Sequence, residues 1–357
     1  MDNLMDIFGD DAFSLISMVA AVNDIDNVPG RAGELCFQGV GEGVPVSTIT
    51  IEQKATALSV IPVSQRGGPA PQETQDKGKL FPLLIPHIKE EETIGASQVQ
   101  GVRQFGSSNV LTGVQTVISQ QMGKIVSKMD LTLEHHRLGA LKGVIRDADG
   151  SALMDLYEKF GVDRPADFDF KLTDYSSDAA FEDAVRVSCM NVSRYMKRNA
   201  KMTIPASARI WGFCGDNFMD KLIENPSVKA TANGWQRAEQ LLGDNYANGV
   251  FYFAGIYFEN YAGTDDITGE EASDGDMIGK VGIASDECRL FLTGVPGLYA
   301  EYFAPGDFMD TVNTIGLPRY ARLAVDNEFN RWVKLHVQQN PLPLCLRPRT
   351  LVRALAG

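Results

Sequence analysis

The residues best suited to chemistry lie in one stretch, EHHRLGALKGVIRDADGS at 134–151, where a glutamate precedes two of the chain's four histidines. Glu134, His135 and His136 are residue types that bind metals or transfer protons. Neighbouring side chains on a helix point about 100° apart, however, so adjacent imidazoles cannot both face one metal, and HExxH spacing is absent. We therefore predict a packed, hydrogen-bonded histidine pair. A contact between subunits and a metal-dependent hydrolase are the alternatives.

The DADG sequence that ends this stretch resembles a calcium loop only in composition. It lacks the alternating ligands, the glycine at the sixth position and the terminal glutamate of an EF-hand. An Asp-Gly pair flanked by apolar residues is typical of a tight turn between two strands. The segment VIRDADGSALMDL at 144–156 is therefore predicted to form a β-hairpin.

Two charged clusters could also bind ligands. Arg194, Lys197, Arg198 and Lys201 end a predicted helix over 178–200, where positive charge interacts favourably with the helix dipole, and a nucleic-acid patch is the alternative. A later acidic loop has irregular spacing, which predicts a solvated surface, with a calcium loop as the alternative. Its carboxylates are those of Asp265, Asp266, Glu270, Glu271, Asp274 and Asp276.

Composition indicates a folded protein without catalytic chemistry. The chain has 357 residues, 44% of them hydrophobic and 22% charged, and no apolar run approaches the ~20 residues of a membrane span. The net charge of −13 disfavours wrapping of nucleic acid, which requires many Lys and Arg. Five widely spaced cysteines and the absence of a secretory signal predict a reducing, cytoplasmic compartment. GxSxG, P-loop and dinucleotide motifs are absent, so we predict no enzyme, no metal and no cofactor.

The predicted elements are unusually extended. Residues 46–94 form one long hairpin in this interpretation, with a tip at 65–79 rich in glycine and proline. Residues 108–142 carry apolar side chains at steps of three and four, which predicts one helix of about 35 residues. Gly113 and Gly123 weaken this helix and are candidate positions for a bend.

These extended elements predict self-association. Residues 178–305 are expected to form a compact α/β lobe with a core of its own. The hairpin over 46–94 has only two strands, and a two-stranded sheet alone is marginally stable in water. We therefore expect the hairpin to lie on another copy of the chain, within a large homo-oligomer.

Six blocks of sequence carry a family resemblance: DIFGDDAFSL, VPGRAGEL, SVIPVSQRGGPAP, IPHIKEEETIGASQVQGVRQFGS, EHHRLGALKGVIRDADGSALMDLYEKFGV and NPLPLCLRPRTLVRAL. In this order they resemble the phage lambda major head protein family, the capsid protein E group of tailed-phage major capsid proteins. The central part, roughly 178–330, resembles the family less distinctly.

The resemblance implies an α+β fold, the HK97-like tailed-phage major capsid fold. Its parts are an N-arm, an extended E-loop hairpin, a long spine helix, a P-domain and an A-domain. The implied ranges are 1–45 for the N-arm, 46–94 for the E-loop, 95–177 for the P-domain with the spine helix at 108–142, 178–305 for the A-domain, and 306–357 for the P-domain return strands.

The same resemblance implies a major capsid protein that forms the pentamers and hexamers of an icosahedral shell, with a round precursor that later expands. The shell would enclose double-stranded DNA without sequence-specific binding, and would assemble in the bacterial host cytoplasm without a membrane. Implied partners are further copies of the chain, a separate scaffolding protein, a portal protein and, optionally, a decoration protein. A cellular nanocompartment of the same fold is the alternative.

Candidate contact residues follow from the implied domains. The tip of the E-loop would contact a neighbour, and the spine helix would bend at Gly113 or Gly123. The tip candidates are Arg66, Gly67, Gly68, Lys77 and Lys79. Some relatives crosslink a lysine of this loop, but the lambda group is not known for it, so a crosslink is not among the predictions.

Overall fold

The computed structural model describes most of the chain. The described residues are 18, 30–53, 79–99, 110–173, 184–233, 249–261, 282–326, 328–329 and 331–357. Within them the α-helices are α1 Ala96–Val99, α2 Val110–Lys142, α3 Leu156–Phe160, α4 Ala184–Ala200, α5 Asp216–Glu224 and α6 Pro226–Asn233. A π-helical turn at Gly33–Phe37 and a 3-10 turn at Pro348–Thr350 complete the helical elements there.

The strands precede, separate and follow these helices along the chain. In the described residues they are β1 Gly41–Gly43, β2 Thr48–Gln53, β3 Lys79–Leu84, β4 Ile88–Gly95, β5 Val144–Arg146, β6 Ala152–Asp155, β7 Phe168–Asp169, β8 Arg209–Cys214, β9 Val250–Phe253, β10 Ile256–Asn260, β11 Glu287–Thr293, β12 Tyr299–Phe303, β13 Tyr320–Val325, β14 Trp332–Gln339, β15 Pro341–Cys345 and β16 Val352–Leu355.

The long helix α2 confirms the helix predicted over 108–142 for all of its described residues, Val110–Lys142. It ends at Gly143, whose φ of +85° lies in the left-handed region that favours glycine. A Cβ atom at this position would lie 2.3 Å from the ring of Tyr157. The backbone conformation and the packing therefore both require glycine at the end of the helix.

The two halves of α2 pack into different hydrophobic cores. Its first half buries Met122, Ile125 and Met129 against Leu335 and Val337 of β14. Its second half belongs to the main core, to which it contributes the buried residues Leu138, Ala140 and Leu141. One continuous helix therefore connects these two cores.

The main core lies around a six-stranded sheet with the order β7-β16-β11-β8-β10-β9. Strands β8 and β10 are parallel, and β11 is antiparallel to β8. Helix α4 covers this core with one buried face, formed by Val185, Cys189, Val192 and Met196. The helix predicted over 178–200 placed these four residues on one face, which is confirmed. We refer to this sheet and its helices as the central lobe.

The hairpin predicted over 46–94 is confirmed for strands β2 and β3. The prediction is wrong for β4, which does not belong to the hairpin. Strand β2 is antiparallel to β3, with Thr48 opposite Leu84. Strand β4 instead pairs with β14, with Ile94 opposite Val333, in a sheet of order β13-β14-β4. Both segments are extended, so local sequence could not distinguish their partners. The apolar side of α2, on which this second sheet packs, determines that β4 leaves the hairpin.

Two further predictions of local structure are confirmed. Strands β5 and β6 form the expected hairpin, in which Gly150 has a φ of +85°. Strand β15, which contains two prolines, lies at the edge of the sheet β1-β12-β15, where a missing backbone N–H is tolerated. The last strand, β16, lies in the central lobe, where it pairs with β11.

Candidate assembly surfaces and the histidine pair

The β2–β3 hairpin has one buried face and one exposed face. Ile49 and Leu83 point into the main core and are buried. On the opposite face, Leu80 and Leu84 are 65% and 68% exposed. Alternation along a strand places Thr48, Thr50 and Pro82 on this side as well. We define these five exposed residues as the outer hairpin face.

A second exposed apolar surface lies in the connection between β12 and β13. Met309 is 95% exposed, and Val312, Ile315 and Leu317 are also exposed. Such clustering is unusual on a monomeric protein and commonly marks a protein-protein interface. The predicted contact surfaces did not include this loop, although apolar residues alternate with polar ones in its sequence, FMDTVNTIGL.

Glu134 does not have the surroundings of a metal ligand. Its Oε1 accepts hydrogen bonds from the Ala32 N–H at 2.7 Å and the Tyr261 hydroxyl at 3.0 Å. Its Oε2 accepts from the Gly33 N–H at 3.2 Å. Burial raises the pKa of this carboxyl, and the hydrogen bonds and Arg137 oppose that rise. Glu134 therefore attaches the segment at 30–37 to the long helix.

The histidine pair is packed, as predicted, but within the part of the chain that the structure describes His136 lacks the hydrogen bonds that the prediction included. His136 is only 2% exposed, His135 is half-buried, and their ring centroids are 6.2 Å apart. Neither ring nitrogen of His136 has a hydrogen-bond partner among the described residues. Burial, followed by repulsion from His135, lowers the pKa of His136 to about 4. His136 is thus a neutral core residue near pH 7.

Within the described part of the chain, no group of three His, Cys, Asp or Glu side chains could hold a metal ion. The six carboxylates between residues 265 and 276 lie outside the described residues. The basic residues at the end of α4, which were predicted to interact with the helix dipole, are exposed on the central lobe.

Two buried ion pairs on α2 were not predicted from the sequence. Arg137 donates to both carboxylate oxygens of Glu301, at 2.8 and 2.9 Å. Arg319 donates to Asp130 at 2.5 Å. The available signal was the occurrence of Asp130, Glu134 and Arg137 at steps of four and three, which places three charges on one side of an otherwise apolar helix. Their partners, 189 and 164 residues away, gave no local signal.

The candidate bend positions lie within α2, and the helix is continuous through Gly113 and Gly123. A Cβ atom at Gly123 would have no neighbour within 4 Å, so this position is open. Of the candidate tip residues, Lys79 begins β3 opposite Gln53. Arg66, Gly67, Gly68 and Lys77 lie outside the described residues.

Comparison with known proteins identifies the family to which this arrangement of hairpin, long helix and central lobe belongs. Residues 14–356 match the family described as phage major capsid protein E. The chain belongs to the phage major capsid protein E family. The major capsid protein of Salmonella phage Felix O1 (isolate Felix O1-VT1) is 25% identical over 352 residues, covering 92% of this chain and 93% of the relative. That of Pseudomonas phage KPP10 is 21% identical over 348 residues, covering 93% and 94%.

A solved structure agrees with this assignment at the level of the fold. The crystal structure of a prophage capsid protein from E. coli CFT073 aligns with a TM-score of 0.58 and 12% identity, covering 96% of this chain and 99% of that one. The predicted HK97-like α+β fold is therefore confirmed.

Membership of the capsid family also decides the class of function. The chain is a major capsid protein of a tailed phage and a structural component of the virion, not an enzyme. The comparisons support neither the nanocompartment nor the metal-dependent hydrolase. Among the described residues, no helix combines the length and the apolar character needed to cross a lipid bilayer.

Proposed function

We propose that this capsid protein assembles with itself into the pentamers and hexamers of an icosahedral shell that encloses double-stranded DNA without reading its sequence. Assembly would take place in the cytoplasm of the bacterial host. It would use a separate scaffolding protein and a portal protein, with a decoration protein as an optional addition. Membership of the capsid family supports self-assembly; the further partners rest on the resemblance to the lambda group.

The outer hairpin face carries this proposal. Leu80 and Leu84 are large apolar residues that are about two-thirds exposed on a two-stranded sheet. Exposure of such side chains to water is unfavourable by about 25 cal/mol per Å² of apolar surface, so covering them would stabilise an assembly. A neighbouring copy can cover them by packing on this face. The exposed loop at Met309 and Ile315 is a second candidate contact.

We assign the family's domains to this chain with two adjustments of the predicted ranges. The N-arm comprises 1–45, and the spine helix is α2. Because β4 pairs with β14 on the spine helix, we place it in the P-domain, and the E-loop then ends near residue 87. Because β16 pairs with β11, we group it with the A-domain.

For maturation we propose a rotation of whole subunits with a change of curvature in the spine helix. Gly113 and Gly123 are the proposed bend positions, since glycine weakens a helix by about 1 kcal/mol relative to alanine. The open surroundings of Gly123 are compatible with local movement.

The self-assembly proposal is tested by placing charge on the outer hairpin face. The double variant Leu80→Asp/Leu84→Asp should fold, because both side chains are exposed in the subunit, but it should fail to form shells. Each aspartate would lose its hydration in an apolar contact. The measurement is electron microscopy and light scattering of protein co-expressed with the scaffold, with circular dichroism as the test of folding.

Leu153→Asp is the control, because Leu153 is an exposed leucine on a different sheet, that of β5 and β6. It should assemble as the unchanged protein does. Normal shells from the double variant would contradict the proposed role of the hairpin. Absence of shells from the unchanged protein would contradict the self-assembly proposal itself.

A further inference from the structure

The outer side of α4 is strongly basic in a chain of net charge −13. Arg194, Lys197 and Arg198 are exposed on the helix, and Lys201 is exposed immediately after it. The segment 184–201 contains no aspartate or glutamate. We define the four cations as the basic face.

The basic face has a compact geometry. At 100° and about 1.5 Å per residue, the three helical cations lie within an arc of about 100° and within about 6 Å along the axis. They point away from Cys189 and Met196, which are buried in the main core. The three helical cations therefore share one exposed side of α4, and exposed Lys201 follows at its end.

None of the four cations forms an ion pair within the described part of the chain. Like charges three and four residues apart on a helix repel each other and destabilise it. The helix dipole favours cations only in the last turn, which contains Lys197 and Arg198 but not Arg194. An anionic ligand would relieve the remaining repulsion.

We propose that the basic face binds the phosphate backbone of double-stranded DNA without regard to sequence, and that α4 therefore faces the interior of the shell. This inference rests on the proposed function, in which the shell encloses DNA. Duplex DNA carries about one negative charge per 1.7 Å of its axis, so several phosphates lie within reach of the four cations. The acidic remainder of the chain repels DNA, and binding confined to this face would hold the outermost DNA loosely.

Salt dependence gives a quantitative test. The probe is a short fluorescent DNA duplex, and its binding to the unassembled full-length chain is followed by anisotropy between 50 and 200 mM salt. Four phosphate contacts predict a slope of log affinity against log salt near −3.6, a loss of about 100-fold over this range. The variant Arg194→Gln/Lys197→Gln/Arg198→Gln/Lys201→Gln should bring the slope close to zero and weaken binding at low salt about 100-fold.

The matched control removes four exposed cations from other elements while changing the net charge equally: Lys89→Gln, Lys124→Gln, Lys159→Gln and Arg331→Gln. It should bind DNA with the slope of the unchanged chain. The inference is wrong if the α4 variant keeps that slope, or if the control loses as much. If the α4 variant binds DNA normally and also no longer assembles with the scaffold, the inference is wrong and the basic face is a protein-binding surface instead.

Orientation is tested separately in whole particles. Acetylation of Lys197 and Lys201, followed by mass spectrometry, should be slower in DNA-filled shells than in emptied ones. Equal rates would overturn the interior placement of α4. Electron microscopy of the unchanged protein reports shell formation independently, so failure of self-assembly can be distinguished from failure of DNA binding.

Discussion

Single residues on the long helix differ in how much space surrounds them. At Gly123 an added methyl group would meet nothing within 4 Å, whereas at Gly139 it would approach the backbone of Ile145 to 2.9 Å and the carbonyl oxygen of Val144 to 3.0 Å. The first glycine is therefore compatible with any small residue, while the second is required by close packing of the helix on β5.

This contrast predicts opposite effects for the same substitution. Gly123→Ala should increase the free energy of unfolding by about 0.5–1 kcal/mol, because alanine favours the helix. Gly139→Ala should decrease it by about 1–3 kcal/mol, because the backbone must move. Urea denaturation of the unassembled subunits measures both values. A loss of stability in Gly123→Ala would show that this position has neighbours in the native state.

His136 is a buried group that makes stability depend on pH. Its folded pKa of about 4 lies below the ordinary value of 6.5, because burial disfavours the charged ring. As the pH falls, His136 of the unfolded chain therefore binds a proton at a higher pH than His136 of the folded chain does. The stability contribution is fully present above pH 6.5 and is lost as the pH falls from 6.5 to about 4, with a total of about 3 kcal/mol.

We predict that His136→Met weakens this acid sensitivity. The free energy of unfolding of the unchanged protein should decrease more steeply between pH 6.5 and 4 than that of the variant, since methionine does not titrate. Denaturant titrations at a series of pH values give both curves. Parallel curves over this window would contradict a neutral, buried His136.

At the scale of elements, buried ion pairs join the long helix to strands that are distant in sequence. Arg137 binds Glu301 of β12 in a bidentate arrangement, and both side chains are almost completely buried. By contrast, Lys128 and Glu90 of β4 form a pair in which Lys128 is largely exposed. Exposed pairs contribute little to stability, whereas removing one partner of a buried pair leaves an uncompensated charge.

A double-mutant comparison tests the buried pair. Arg137→Met should destabilise the subunit by about 3–5 kcal/mol, because Glu301 would remain buried without its partner. Arg137→Met/Glu301→Met should recover much of this loss, since no charge is then left in the core. Lys128→Met is the control and should have a small effect. Equal losses in the single and double variants would assign the cost to packing rather than to charge.

At the scale of the whole molecule, one helix connects two cores while apolar surfaces stay uncovered at the hairpin and at the loop between β12 and β13. Anything that binds the folded subunit and not the unfolded chain shifts the unfolding equilibrium toward the folded state. Neighbouring copies in a shell act in this way, so the subunit alone has only part of the stability available to it.

Assembly should therefore raise thermal stability. We predict that purified shells have a higher Tm than unassembled subunits, and that subunits of the outer hairpin variant Leu80→Asp/Leu84→Asp unfold close to the Tm of unchanged subunits. Differential scanning calorimetry at matched protein concentration measures all three. If unassembled subunits unfolded at the temperature of the shells, contacts between copies would add no stability.

The sequence by itself determined the elements whose pattern is local. The apolar period over 108–142 predicted α2, the Asp-Gly turn predicted β5 and β6, and the buried side of α4 followed from its spacing. It also predicted a packed histidine pair, because adjacent side chains on a helix diverge and cannot both face one metal. Each of these follows from backbone geometry within a few residues.

Only the tertiary structure decided which elements are partners. The departure of β4 to β14, the return of β16 to β11, and the pairing of Arg137 with Glu301 depend on contacts between residues far apart in the chain. Extended segments have similar local preferences whichever strand they pair with, and a charge on a helix does not specify its counterion. The missing hydrogen bonds of His136 likewise reflect its neighbours in space, which the adjacent sequence does not contain.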